Sequence, residues 1–198
     1  MGNYQVRFWR AAALVRESLT LILDGTVRQP ASGERFIQHP LEQQIIVGAD
    51  KGVAHYHKQG WIVIGISNQA GVEAQHKTLK DAIAEQRYTL ELFPQLTAIY
   101  FCPGFKGRHC WLVERGFDAK PIHIADWAAE FIGKFRKPQP GMLNAAIRMS
   151  GAESEKQSYL YIGDREEDKL AAEAANVSFI RAEIWLKQCQ FLPDSTQS

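Results

Sequence analysis

Cysteine, net charge and long apolar runs are all scarce in this chain of 198 residues, and each shortage closes off a class of protein. Its cysteines, Cys102, Cys110 and Cys189, are too few and too irregularly spaced for a disulfide scaffold, which fits a reducing compartment. A formal net charge of +1 supplies no global field to draw the protein onto nucleic acid or an anionic membrane, although it leaves room for a local basic patch. No apolar run approaches the ~20 residues needed to cross a bilayer. The N-terminal stretch carries Arg7, Arg10 and Arg16 with Ala11 to Val15 between them and no acid before Glu17, the outline of a transit sequence. Its apolar part is too short for a secretory core. The plainer reading makes residues 1–18 an extension lying as a short helix or strand on the domain surface. A cytoplasmic location is the expectation.

What is present is ordinary for a globular protein: 45% hydrophobic and 23% charged residues, in a length that suits one α/β domain. Short apolar runs alternate with longer helical patterns, the signature of β-α units and a mainly parallel, Rossmann-like sheet with helices on both faces. Leu19 to Leu23, Trp61 to Ile66, Thr97 to Phe101 and Tyr159 to Ile162 read as strands, and Val177 to Ile180 as an edge strand. Asp50 to Gln59, Thr78 to Phe93, Gly141 to Met149 and Glu167 to Ala175 read as helices, each bounded by glycine, proline or an acidic first turn. Gln29 to His39 is polar and reads as a loop. The domain is expected over 19–192, with 193–198 frayed.

Four short motifs stand out in this pattern. They are Leu21-Ile22-Leu23-Asp24-Gly25-Thr26, then Ile66-Ser67-Asn68-Gln69, then Phe135-Arg136-Lys137-Pro138, then Ile162-Gly163-Asp164-Arg165-Glu166-Glu167-Asp168. Parallel sheets place their ligand crevice beyond the carboxyl ends of the strands. Asp24, Ser67 and Asp164 all fall at such ends, with Lys137 supplied by a loop. A carboxylate, a hydroxyl, a lysine and a carboxylate pair are the inventory for moving a phosphoryl group with magnesium. The carboxylate can act as covalent nucleophile, magnesium takes one or two carboxylates, and the hydroxyl and lysine bind phosphate oxygens.

The order and context of these motifs resemble the haloacid dehalogenase (HAD) superfamily of phosphatases, from Leu21 to about Ala175. The Ser-Asn-Gln-Ala-Gly-Val string and Arg-Lys-Pro followed by Pro-Gly-Met are similar to the subgroup of histidinol-phosphate, heptose-bisphosphate and polynucleotide 3′-phosphatases, which generally lacks a large cap domain. The resemblance implies hydrolysis of a phosphate monoester through an aspartyl phosphate. It implies Asp24 and Lys137 as catalytic residues, and Ser67, Asn68, Arg136 and Lys137 as phosphate ligands. It implies Mg2+ held by Asp24, Asp164 and Asp168, with Asp164 the main ligand and Asp168 orienting Lys137 or a metal-bound water.

The chain departs from the family in its first motif, which opens there with two aspartates, DxDGT. Ungapped matching puts Asp24 on the second acid and Ile22 on the nucleophile. Loss of a two-residue unit would instead put Asp24 on the nucleophile and leave the acid/base absent. The apolar run before Asp24 favours the deletion, but both registers stay open. A catalytically inactive binder of a phosphorylated ligand or protein partner is the alternative function. Cys102, His109, Cys110 and His123 are nominally enough for tetrahedral zinc. Their spacing differs from the family's zinc loop and no Cys-x-Cys precedes Arg136, so zinc is not expected. The short gap between the first two motifs implies an open site. Such a site suits a phosphorylated small molecule or a nucleic-acid 3′-phosphate end. The Arg7-Phe8-Trp9-Arg10 cluster reads as a surface anchor.

Overall fold

The computed structural model describes residues 18–116, 120–149 and 159–192, with backbone alone for 18–22. The extension through residue 17, with its Arg7 to Arg10 cluster, and the tail from 193 lie outside the described residues. In chain order the elements are β1 (Ser18–Ile22), β2 (Arg28–Pro30), β3 (Gln43–Ile45), α1 (Ala49–Lys58), β4 (Ile62–Asn68), α2 (Leu79–Leu92) and β5 (Leu96–Cys102). They continue with β6 (Trp111–Glu114), β7 (Ile122–His123), α3 (Gly141–Met149), β8 (Tyr159–Gly163), α4 (Glu166–Ala174), β9 (Ser178–Arg181) and α5 (Ala182–Cys189).

The central sheet has the order β7-β6-β5-β4-β1-β8-β9. Strands β5, β4, β1, β8 and β9 run parallel, while β6 and β7 add an antiparallel edge. Continuous apolar runs form the inner strands because a parallel strand is buried on both faces. In β4 every residue from Val63 to Ser67 is buried. Helices α1, α2 and α5 cover one face, packing Val53, Leu90 and Trp185 against Val63 and Ile99. Helices α3 and α4 cover the other, packing Met142, Leu143 and Ala171 against Ile64, Tyr100 and Tyr161. Each such fully buried side chain contributes roughly 1.5–3 kcal/mol. The expected architecture of a mainly parallel sheet between two helical layers, without a large cap among the described residues, is the one found.

Helix boundaries follow local chemistry. Thr78 starts α2 with a capping box, its hydroxyl accepting from Asp81 N–H while the Asp81 carboxylate accepts from Thr78 N–H. Helix α4 begins after Arg165, whose N–H donates to Asp168. Three features differ from the sequence expectation. Gln29 and Pro30 belong to a strand of the small β2–β3 hairpin rather than to a loop, because buried Arg28 and Gln43 tie that hairpin to α2. Strands β6 and β7 are short and lie at the edge. Helix α5 packs only Ala182, Trp185 and Cys189 inward, a pattern too brief to register as helical periodicity. No helix among the described residues is long and apolar enough to cross a membrane.

Candidate active site

Strands β1 and β4 are parallel neighbours with Ile22 opposite Ile66, and Leu23 N–H continues the ladder to Ile66 O at 3.3 Å. Asp24 and Ser67 therefore leave the sheet side by side at its carboxyl edge. Ser67 Oγ donates to Asp24 Oδ2 at 2.9 Å, and Gln69 Nε2 reaches the same oxygen at 3.4 Å and Ser67 Oγ at 2.9 Å. Arg28 Nε donates to Asp24 Oδ1 at 3.1 Å. Asp24 is 38% exposed at its side chain, so an incoming ligand can reach it. Partial burial disfavours its charge, but the Arg28 guanidinium, the Ser67 hydrogen bond and the ammonium groups of Lys77 and Lys137 outweigh this and hold the carboxyl below its ordinary range.

Lys137 is 4% exposed and pairs with the fully buried Asp168, Nζ to Oδ1 at 2.9 Å. The other Asp168 oxygen accepts the Arg165 N–H at 2.9 Å. Asp168 thus orients the lysine and starts α4, and both of its oxygens are engaged. Asn68 is tied to the main chain of Lys137 in both directions: Lys137 N–H donates to Asn68 Oδ1, and Asn68 Nδ2 donates to Lys137 O, each at 3.3 Å. The Asn68 amide nitrogen also lies 3.5 Å from Glu167 Oε1. Arg136 is half-buried with its guanidinium over the Phe105 ring, 5.5 Å from the centroid. The structure thus brings Asp24, Ser67, Asn68, Lys137 and Asp168 to one edge, and Arg136, next to Lys137 in the chain, keeps Nη1 buried without a hydrogen-bond partner.

Asp164 closes the site from β8. Gly25 sits at φ +78°, and a Cβ added there would lie 2.4 Å from Asp164 Oδ2. Glycine is required on both counts: the left-handed backbone and the close approach of the carboxylate that follows β8. Gly25→Ala is expected to lose about 1–3 kcal/mol of stability, read by urea unfolding. Desolvation, then the Asp168 charge, raises the Asp164 carboxyl above its ordinary range, with Arg165 and Lys137 only partly opposing. Its charge is under-compensated, and it lies against the residue that follows Asp24.

Among the described residues no three His, Cys, Asp or Glu side chains converge in a metal-holding group. Magnesium does not require three, since it is commonly held by one or two carboxylates with phosphate and water completing its shell. Asp164 approaches Gly25, the residue after Asp24, so two carboxylates stand at this edge of the sheet. The cysteines and histidines considered for zinc lie at the antiparallel edge. Cys102 and Cys110 are buried with their thiol pKa values raised by desolvation, and His109 Nδ1 faces His123 Nε2 at 3.1 Å. His123 Nδ1 contacts Asp126 Oδ1 at 2.9 Å, and Trp111 packs on the His123 ring.

Beneath the site runs a buried polar network that motif reading does not find, built from Arg28, Gln43, Lys77, Glu85, Gln86 and Thr89 around Gln69. Its sequence trace is faint: Glu85, Gln86 and Thr89 interrupt the inward face of α2 with polar residues that are nevertheless buried.

Comparison with known proteins bears on the family and the fold. Residues 20–182 match the family described as polynucleotide kinase 3 phosphatase. Among solved structures, the D,D-heptose 1,7-bisphosphate phosphatase from B. bronchiseptica, complexed with magnesium and phosphate, is 21% identical with a TM-score of 0.57. That likeness covers 91% of this chain and 90% of the other. A Mesorhizobium loti protein described as HAD-like is 19% identical with a TM-score of 0.61, over 91% of this chain and 89% of the other. At these identities the structural likeness establishes the fold. No curated protein matches the chain significantly.

Proposed function

The chain belongs to the polynucleotide kinase 3 phosphatase family of the HAD superfamily, and on that footing we propose that it is a magnesium-dependent hydrolase of phosphate monoesters with Asp24 as nucleophile. The carrying observation is the placement of the Asp24 carboxylate at the strand end, bonded to Ser67 and within the field of Lys137. A carboxylate offers about four lone-pair sites, and Asp24 Oδ1 keeps one after accepting from Arg28. That pair attacks phosphorus; the bond to the leaving oxygen breaks and its electrons depart with the leaving group. Water then attacks the aspartyl phosphate, returning the electron pair to Asp24 and releasing inorganic phosphate. Lys137 is held by its ion pair with Asp168, and its ammonium offers N–H donors to phosphoryl oxygens. Asp24 and Asp164 would hold magnesium, which when bound neutralises charge on the transferring group.

With one acid in the first motif, the leaving group departs without a positioned proton donor. Esters of acidic alcohols are therefore the better substrates. The open edge also suits a phosphate on a larger molecule, a nucleic-acid 3′ end among them. The test is phosphate release by protein stripped with a chelator and then resupplied with Mg2+. p-Nitrophenyl phosphate should turn over only with magnesium, and glycerol phosphate about 10²–10⁴-fold more slowly. Equal rates with and without magnesium, or a reversed preference, would contradict the proposal. One observation favours a second reading, a binder of phosphorylated ligands. Each oxygen of the lone acid already accepts from a neighbouring donor, Oδ1 from Arg28 and Oδ2 from Ser67 and Gln69.

A further inference from the structure

Arg28 is fully buried four residues after Asp24, in a stretch outside the four motifs. Burying a guanidinium is expensive unless its donors are satisfied, and here they are. Nη1 donates to Gln43 Oε1 at 2.7 Å, to Glu85 O at 3.3 Å and to Thr89 Oγ1. Nη2 donates to Glu85 Oε1 at 2.8 Å and Gln86 Oε1 at 3.2 Å. The remaining donor, Nε, faces Asp24. Because the fork is planar and gripped at its far end, the direction of that last N–H is set by α2 and by Gln43 of the hairpin.

A second arm reaches the same carboxylate. Glu85 Oε1 accepts from Gln69 Nε2 at 2.8 Å, and that amide touches Ser67 Oγ and Asp24 Oδ2. Lys77 pairs with the other Glu85 oxygen and donates to Gln69 Oε1 at 3.1 Å. Asp24, Arg28, Glu85, Gln69 and Ser67 therefore form a closed ring of hydrogen bonds with Glu85 opposite Asp24. A purely structural pin between hairpin and helix would need Gln43, Glu85, Gln86 and Thr89. It would not need Nε on a solvent-reachable carboxylate, nor an arm returning through Gln69.

We propose that Arg28, seated on Glu85, is the positioning residue that holds the Asp24 carboxylate at its working angle beneath the Ser67 hydroxyl. The inference rests on the reading of Asp24 as nucleophile. A carboxylate free to swing by about 1 Å forfeits on the order of 10²-fold in rate, so the ring is expected to act on turnover rather than on substrate affinity.

The test uses Glu85→Gln and Arg28→Lys in the full chain, with Mg2+ and p-nitrophenyl phosphate, alongside urea unfolding. Expected is a kcat lowered roughly 10- to 100-fold with KM within about threefold. Cooperative unfolding should persist, and Arg28→Lys should keep part of the rate. Wild-type kcat in the folded variants, or a loss that follows the unfolded fraction, would overturn the proposal. A second readout needs no turnover: the Asp24 13Cγ resonance at fixed pH. It should move in Glu85→Gln, since Glu85 bonds Arg28 and Gln69 and not Asp24 itself, and an unmoved resonance would sink the positioning role. A native protein that hydrolyses nothing while this resonance moves would refute the phosphatase reading and leave the ring standing.

Discussion

Asp24→Asn lowers magnesium-dependent phosphate release by on the order of 10⁴-fold or more while the protein stays folded. The amide is nearly isosteric, so the Ser67 and Arg28 contacts can each be kept in part, and with 38% side-chain exposure the site tolerates local adjustment. What is lost is the nucleophile, because a carboxamide oxygen does not form a stable phosphoryl linkage. Loss of the charge-assisted bond to Arg28 is expected to lower stability by about 1–3 kcal/mol, with the guanidinium still held by Glu85. Initial rates and urea midpoints on the same preparations separate the two effects. A variant as active as the native chain would remove Asp24 from the chemistry.

Lys137→Met is the second large effect, and it acts on stability and activity together. Asp168 is completely buried and has Lys137 as its cationic partner, 2.9 Å away. Removing the cation leaves a buried carboxylate with only the Arg165 N–H, a situation that costs about 3–5 kcal/mol. Turnover should fall by about 10²–10³-fold in the fraction that remains folded, since the phosphoryl oxygens lose their ammonium donor. The double variant Lys137→Met/Asp168→Asn separates the roles. It should recover most of the lost stability, measured by urea unfolding, and none of the lost rate. Recovery of both would make Lys137 a structural partner of Asp168 and nothing more.

The parts of the fold legible in the sequence are those where burial is continuous. β4 and β5 are apolar runs because both faces are covered, and their ends carried Ser67 and Cys102 to the right edge. The hairpin was not legible, since Arg28 and Gln43 look solvent-bound in any local window. Their burial depends on Glu85 and Thr89, more than forty positions away in the chain. The site divides in the same way. Asp24, Ser67, Asn68, Lys137, Asp164 and Asp168 were visible as short motifs, and the structure gathers them at one edge of the sheet. Arg28 and Glu85 carry no spacing signal, because long-range pairing of buried polar groups leaves no periodicity. Arg136 stands beside Lys137 in the third motif with its guanidinium over the Phe105 ring of the β5–β6 loop and its Nη1 buried without a hydrogen-bond partner.

During turnover phosphorus becomes covalently attached to Asp24 if that carboxylate is the nucleophile. A rapid acid quench during turnover of 32P-labelled phenyl phosphate with Mg2+, followed by proteolysis and mapping of the labelled peptide, tests it most directly. Label is expected on the peptide containing Leu23-Asp24-Gly25 and none in Asp24→Asn. Steady phosphate release with no labelled protein, or label on another residue, would contradict it.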